Sequence, residues 1–163
     1  MRRVKESLQE RVSMSKKRVY LSGPISGSSW DEATEWRVEL RDRLEKTGLY
    51  DCQDPLRGKQ HLQGEEAIEN TSFEGVDGYL TLFKRDRWDV KQCDIVFINL
   101  TNSEQVSIGS MFELAWAHEL DKYNIVVMEK DSIHWHTFVH KAASIVFTDY
   151  DEAVKYMEKV LLA

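Results

Sequence analysis

The run DIVFINL, positions 94–100, limits the fold more than any other segment of the chain. It is apolar through its middle, rich in β-branched residues, and shows no polar–apolar alternation. A strand of that kind has no wet face and must be covered on both sides. NIVVMEK at 124–130 repeats the pattern, and RVYLSG at 18–23 and ASIVFTD at 143–149 are shorter versions. LYDCQDP at 49–55 reads as a further strand, broken by Pro55.

Helical signals fall between these runs. Ser29 followed by Glu32 forms a capping-box pattern that opens a helix over 30–48, with Gly48 as its stop signal. Trp36, Leu40 and Leu44 recur every four residues, which predicts a buried stripe. Ser107 can cap a helix running through MFELAWAHELDK, and YDEAVKYMEKVLL reads as a closing amphipathic helix. Residues 56–80 are polar, contain glycine and have no period; an irregular stretch of that length inside a compact domain is usually functional. Strands alternating with helices predict an α/β fold with a parallel five-stranded sheet and helices on both faces. Such sheets bind ligands at the carboxyl ends of their strands, beside helix N-termini. The sites are therefore expected in the turns after Leu21, Cys52, Leu100 and Met128.

Composition narrows the function classes. A chain of 163 residues, 42% hydrophobic and 31% charged, fits one domain able to bury its own core without metal or disulfide. Cys52 and Cys93 stand apart, which suggests a reducing, cytoplasmic setting. No apolar stretch approaches the roughly 20 residues of a membrane span, so no membrane partner is expected. The net charge of −6 argues against a nucleic-acid polymer as partner. Residues 1–18 carry seven Lys/Arg and two Glu. Residues 1–16 are accordingly read as a basic arm, either a frayed surface helix or a targeting or anion-docking segment, ahead of a domain at 17–163.

Three features carry chemistry. The turn LSGPISGSS has glycines and hydroxyls leading into a helix, and its amides are placed to cradle a phosphate or ribose, or to form an ordinary βα turn. Glu113 in SIGSMFELAWA falls within the first two turns of its helix, where the positive dipole end favours an ionised carboxylate. Its apolar neighbours make it a candidate nucleophile or base, against the plainer reading of a paired helix carboxylate. In RDRWDVKQCDIV, Asp86 reads as a second candidate carboxylate or a surface ion pair; Asp94 reads as structural, holding amides at the entry of its strand.

Taken in order, VYLSGPISG, DP followed by Arg57, the RD pair at 85–86, CDIVFINL, SIGSMFELAWA and HWHTFVHKAASIVFTDYDEAV resemble the nucleoside 2-deoxyribosyltransferase family and its nucleotide N-hydrolase relatives. The resemblance covers roughly residues 17–160. It implies a flavodoxin-like, Rossmann-like sheet and cleavage of an N-glycosidic bond. By the same resemblance Glu113 attacks the anomeric carbon, Tyr20 positions it, and Asp86 handles the leaving base. Substrate contacts are implied for Ser22, Gly23, Ile25, Ser26 and Gly27 in the first loop, and for Asp54 and Arg57 after the second strand. Asn99 at the end of the third strand and Ser107, Gly109 and Ser110 at the helix start are implied likewise. His136 lies in DSIHWHTFVH, a segment through which family members complete a neighbouring subunit's site, so a homodimer or higher homo-oligomer is expected. No metal or other cofactor is required by this chemistry: an oxocarbenium-like state needs one charged carboxylate and a second kept partly protonated.

Two departures bear on the substrate. Family members acting on free nucleosides carry an aspartate six residues before the nucleophile, whereas this chain has Ser107, as in the 5′-monophosphate hydrolases. Those hydrolases in turn have a first-loop arginine where this chain has Ser26. The expected substrate is thus a (deoxy)nucleoside or its 5′-monophosphate, the serine favouring the monophosphate. The other function class is a non-catalytic nucleotide-sensing or interaction module on the same fold. Joint retention of Tyr20, Asp86 and Glu113 favours the enzyme. A phospho-acceptor domain fits less well, because YLSGP has no acidic residue after the first strand.

Overall fold

The computed structural model describes residues 15–69 and 78–162. Within them β1 (Lys17–Ser22), α1 (Trp30–Lys46), β2 (Tyr50–Gln53), α2 (Tyr79–Gln92), β3 (Ile95–Asn99), α3 (Ile108–Glu119), β4 (Tyr123–Val127), α4 (Thr137–Ala142), β5 (Ile145–Phe147) and α5 (Tyr150–Lys159) follow in order. The five strands form one parallel sheet, ordered β2-β1-β3-β4-β5. Chain direction across the sheet reverses between β1 and β3, and their carboxyl ends frame the crevice where such sheets take ligands.

Strand alternation divides the core into two layers. Val19, Leu21, Ile95, Phe97, Ile125 and Val127 point to one face, against Leu40 and Leu44 of α1 and Ala153, Val154 and Met157 of α5. Tyr20, Val96, Ile98 and Val126 point to the other, against Val90 of α2, Leu114 and Ala117 of α3 and Val139 of α4. Each fully buried large aliphatic side chain contributes about 1.5–3 kcal/mol by leaving water, so both helical layers are needed to hold the sheet. The expected α/β parallel sheet with two covered faces is what the chain forms.

Local signals translate directly. Ser29 caps α1 through the amide of Glu32, and Glu32 returns the bond to the Ser29 amide at 2.8 Å. Gly48 takes a positive φ of 79° just past the helix, a conformation a side chain would strain. Asp94 accepts the Arg18 amide at 2.9 Å, the structural role read for it. Two features go beyond the sequence pattern. The described part of 56–80 contains a 3-10 turn at Gln60–Leu62, and Leu56, Leu62 and Ile68 pack with Ala33 as a small third cluster. The short helix α4 was not foreseen, because six residues give no readable period and Phe138 within it is 79% exposed. The basic arm lies, but for residues 15 and 16, outside the described residues.

The exit of β1 is packed with little tolerance. A Cβ on Gly23 would stand 2.8 Å from Trp36 Cζ2 and 2.9 Å from the Asn99 carbonyl oxygen. Gly23→Ala should therefore cost about 1–3 kcal/mol, the usual range for overpacking. Urea denaturation measures it, and a midpoint equal to that of the wild type would mean that the loop yields freely.

Candidate active site

The buried stripe of α3 is Ser110, Glu113, Leu114 and Ala117, so the helical period that buries the leucine also turns Glu113 inward. Alternation along β1 puts Tyr20 and Ser22 on the face that α3 covers. The Tyr20 hydroxyl donates to Glu113 Oε1 at 2.8 Å, and the Ser22 hydroxyl donates to Oε2. Both carboxylate oxygens are thus held by β1, and Glu113 is only 7% exposed.

Burial dominates the electrostatics. It pushes the Glu113 carboxyl up to about 7; Asp86 adds to the rise, while the Ser22 and Tyr20 hydrogen bonds and the Arg37 charge oppose it. This corrects the expectation that the helix N-terminus keeps Glu113 readily ionised, because loss of water outweighs a dipole effect of about 1 kcal/mol. Tyr20 is pushed well above its ordinary value, first by burial and then by the Glu113 charge, and so stays a neutral donor. Asp86 is also raised by burial, with Arg85 and Lys59 pulling it down. The anticipated division, one charged carboxylate and one neutral, becomes a pair of carboxyls both raised by burial.

Asp86 lies on α2, close enough in charge to influence Tyr20 and Glu113. One turn on, Asp89 is 2% exposed and pairs with Arg57 at 2.6 Å. Arg85 contacts Asp86 at 3.4 Å and donates to the carbonyl of Pro55. These cations stitch the segment after β2 to α2. Arg57, an expected substrate contact, is engaged by Asp89 here. Asp54 is likewise engaged: it accepts from Arg41 at 2.8 Å and from the Leu56 amide.

The first loop is less open than its sequence suggested. Gly27, at φ 82°, donates its amide to Ile68, and Ser28 donates to the Ile25 carbonyl, so neither is left for a phosphate. Ile25 packs on the cluster of Leu56, Leu62 and Ile68. Ser26 is exposed beside it. Asn99 uses its side-chain oxygen on the amide and hydroxyl of Thr101, holding the turn after β3.

At the start of α3, Ser107 accepts the Ser110 amide and donates to the Ser110 hydroxyl at 2.9 Å. Among the described residues, nothing beyond the chain neighbours of Gly109 and its own helix backbone lies within 4 Å of where its Cβ would stand, which leaves that first turn open. The Ser107 amide is taken by His134 Nε2 at 2.9 Å. His134 is 2% exposed, and burial lowers its basicity. His136 is exposed and caps α4, its Nδ1 accepting the Phe138 amide.

The sequence reading missed Arg37, which is wholly buried. A signal existed: Arg37 shares the buried stripe of Ala33, Leu40 and Leu44, an odd place for a guanidinium. Among the described residues no His/Cys/Asp/Glu cluster suits a metal ion, and no helix is long and apolar enough to cross a membrane.

Known proteins offer two kinds of likeness. No curated protein sequence matches the chain significantly. Several solved structures share its fold, among them the following two. A 2-desoxiribosyltransferase from Leishmania mexicana is 15% identical, with a TM-score of 0.59 over 89% of this chain and 99% of its own. The Clostridium botulinum CMP N-glycosidase BcmB is 19% identical, with a TM-score of 0.52 over 90% of this chain and all of its own. The sequence profile described as nucleoside 2-deoxyribosyltransferase matches residues 19–141, a span that runs from Tyr20 and Ser22 through Asp86 to Glu113. The protein therefore belongs to the nucleoside 2-deoxyribosyltransferase family, enzymes of glycosyl transfer and cleavage.

Proposed function

We propose that the enzyme cleaves the N-glycosidic bond of a (deoxy)nucleoside or its 5′-monophosphate through a covalent glycosyl-Glu113 intermediate. The observation that carries this reading is the Glu113 carboxyl, buried at the carboxyl edge of the sheet with both oxygens held by Tyr20 and Ser22. Ionised Glu113 attacks the anomeric carbon as the carbon–nitrogen bond breaks, and the bonding pair leaves with the base. Asp86, pushed up by burial, delivers a proton to that base. Water or an acceptor base then takes the sugar, the ester oxygen keeps its electron pair, and the proton released by the acceptor passes to Asp86. The monophosphate is supported by a serine in place of an aspartate at 107 and by the open first turn at Gly109, where the positive helix end favours an anion.

A second copy of the chain completes the assembly in this reading. Phe83, Phe112 and Trp116 form a mutually packed aromatic group whose ring centroids are 5.1–6.0 Å apart. Ile108 and Phe138 are also exposed, at 69% and 79%. An apolar surface of this kind, spread over α2, α3 and α4, suits a protein interface.

Glu113→Gln should remove nearly all turnover, by about a thousandfold or more, while leaving the fold intact. Stability supplies a second readout. A carboxyl raised from 4.5 to about 7 in the folded state supports folding fully below 4.5 and loses that contribution as pH rises through 7. The variant should therefore gain on the wild type by about 3 kcal/mol between pH 4 and pH 8. Retention of more than a few per cent of activity defeats the nucleophile assignment.

Ser107→Asp tests substrate choice. Two anions about 4 Å apart repel by roughly 1–4 kcal/mol, a tenfold to thousandfold loss for a 5′-monophosphate, while a free nucleoside gains an acceptor for its 5′-hydroxyl. The quantity to compare is kcat/KM for monophosphate over nucleoside. A wild-type ratio below one, or one the substitution leaves unchanged, assigns the enzyme to free nucleosides.

Light scattering should find at least a dimer, and Phe138→Asp should shift it toward monomer with loss of activity. A strictly monomeric, fully active wild type contradicts the shared assembly.

A further inference from the structure

Arg37 lies on α1, which covers the face of the sheet opposite to Glu113, and its side chain has no exposed surface. From there the guanidinium reaches over the end of β1. Nε donates to the Leu21 carbonyl at 3.2 Å and a terminal nitrogen donates to the Gly23 carbonyl at 2.9 Å. The other terminal nitrogen donates to the Ala33 carbonyl within α1. Its face lies 4.4 Å from the Trp36 ring centroid, and Asp54 Oδ1 stands 4.0 Å away.

Packing alone does not explain this residue. An apolar side chain fills a helix–sheet interface without the desolvation cost of a cation. The backbone groups it grips are the informative part: Leu21 and Gly23 flank Ser22, whose hydroxyl donates to Glu113 Oε2. Pinning these two carbonyls fixes the peptide that leads into Ser22 and the one that follows Gly23, and so holds the short stretch that aims the serine. The guanidinium fork suits this task, because one planar group presents several donors in set directions.

We propose that Arg37 is a positioning residue for the nucleophile: from the opposite face of the sheet it clamps the backbone on both sides of Ser22 and so holds the hydroxyl that donates to the Glu113 carboxylate. This rests on the reading of Glu113 as the nucleophile. Among the described residues, the charged and titratable groups that act most on that carboxylate are Tyr20 from β1, Asp86 from α2 and Arg37 from α1. Asp89 acts on Tyr20 and Asp86, and Asp54 stands beside Arg37 as its counter-charge. Within this set Asp86 opposes ionisation of Glu113 and Arg37 favours it.

The test uses Arg37→Met and Arg37→Lys, with two readouts. One is the ionisation midpoint of Glu113 from carbon-13 carboxyl NMR, its signal assigned by its disappearance in Glu113→Gln. The other is kcat and KM across pH. Arg37→Met should raise the midpoint, because the donors that favour the ionised carboxylate are weakened, and lower kcat at neutral pH about tenfold, with KM little changed. Arg37→Lys keeps the charge but not the fork, so the midpoint should rise less than in Arg37→Met while kcat falls about tenfold. A midpoint unmoved in Arg37→Met, or variants that lose thermal stability but keep wild-type kcat and pH profile, overturn the proposal. Should the methionine variant fail to fold, the lysine variant decides, and full kcat in it refutes the clamp. Because the NMR titration does not depend on turnover, an active Glu113→Gln alongside a shifted midpoint would reject the nucleophile and leave the clamp on Ser22 standing.

Discussion

Everything at the carboxyl edge of this sheet is arranged around one buried carboxylate. Taking Glu113 out of water raises its proton affinity, and the enzyme answers with donors rather than solvent: Tyr20 on one oxygen and Ser22 on the other. Neither hydroxyl needs to move when charge appears. The two donors offset part of the desolvation, although the carboxylate stays less favoured than it would be in water. The cost falls on stability, since a charge is kept where the fold would prefer an apolar group.

The layered architecture explains how groups from distant parts of the chain converge. β1 alternates, so Tyr20 and Ser22 face α3, whereas Val19 and Leu21 face α1 and α5. Only at the end of the strand, where the sheet no longer separates the layers, can a side chain of α1 act on the α3 side. Arg37 uses that gap. Gly23 leaves room for it, as any Cβ there would meet Trp36 and the Asn99 carbonyl. Arg57, on the segment after β2, and Arg85, on α2, tie that segment to the helix through Asp89 and the Pro55 carbonyl.

Similarity of fold spans wide sequence distance. Structures 15% and 19% identical to this chain follow the same course over nearly its whole length. A doubly covered parallel sheet asks only for apolar strands and amphipathic helices in order, which many sequences satisfy.

Period and capping are local properties, and they were legible in the sequence. The β-branched runs fixed the inner strands, Ser29 with Glu32 started α1, and Ser107 started α3, each through contacts within a few residues. The motifs carrying Tyr20, Asp86 and Glu113 were legible too, because their order along the chain is linear information. Only the tertiary structure decided the rest. The proton affinity of Glu113 depends on how much water its neighbours exclude, which no spacing states. Arg37 became a clamp, and the amides of Gly27 and Ser107 were taken by Ile68 and His134, through contacts between residues far apart in sequence. Such contacts exist only after the layers have closed, so their energies belong to the packed chain and not to any segment of it.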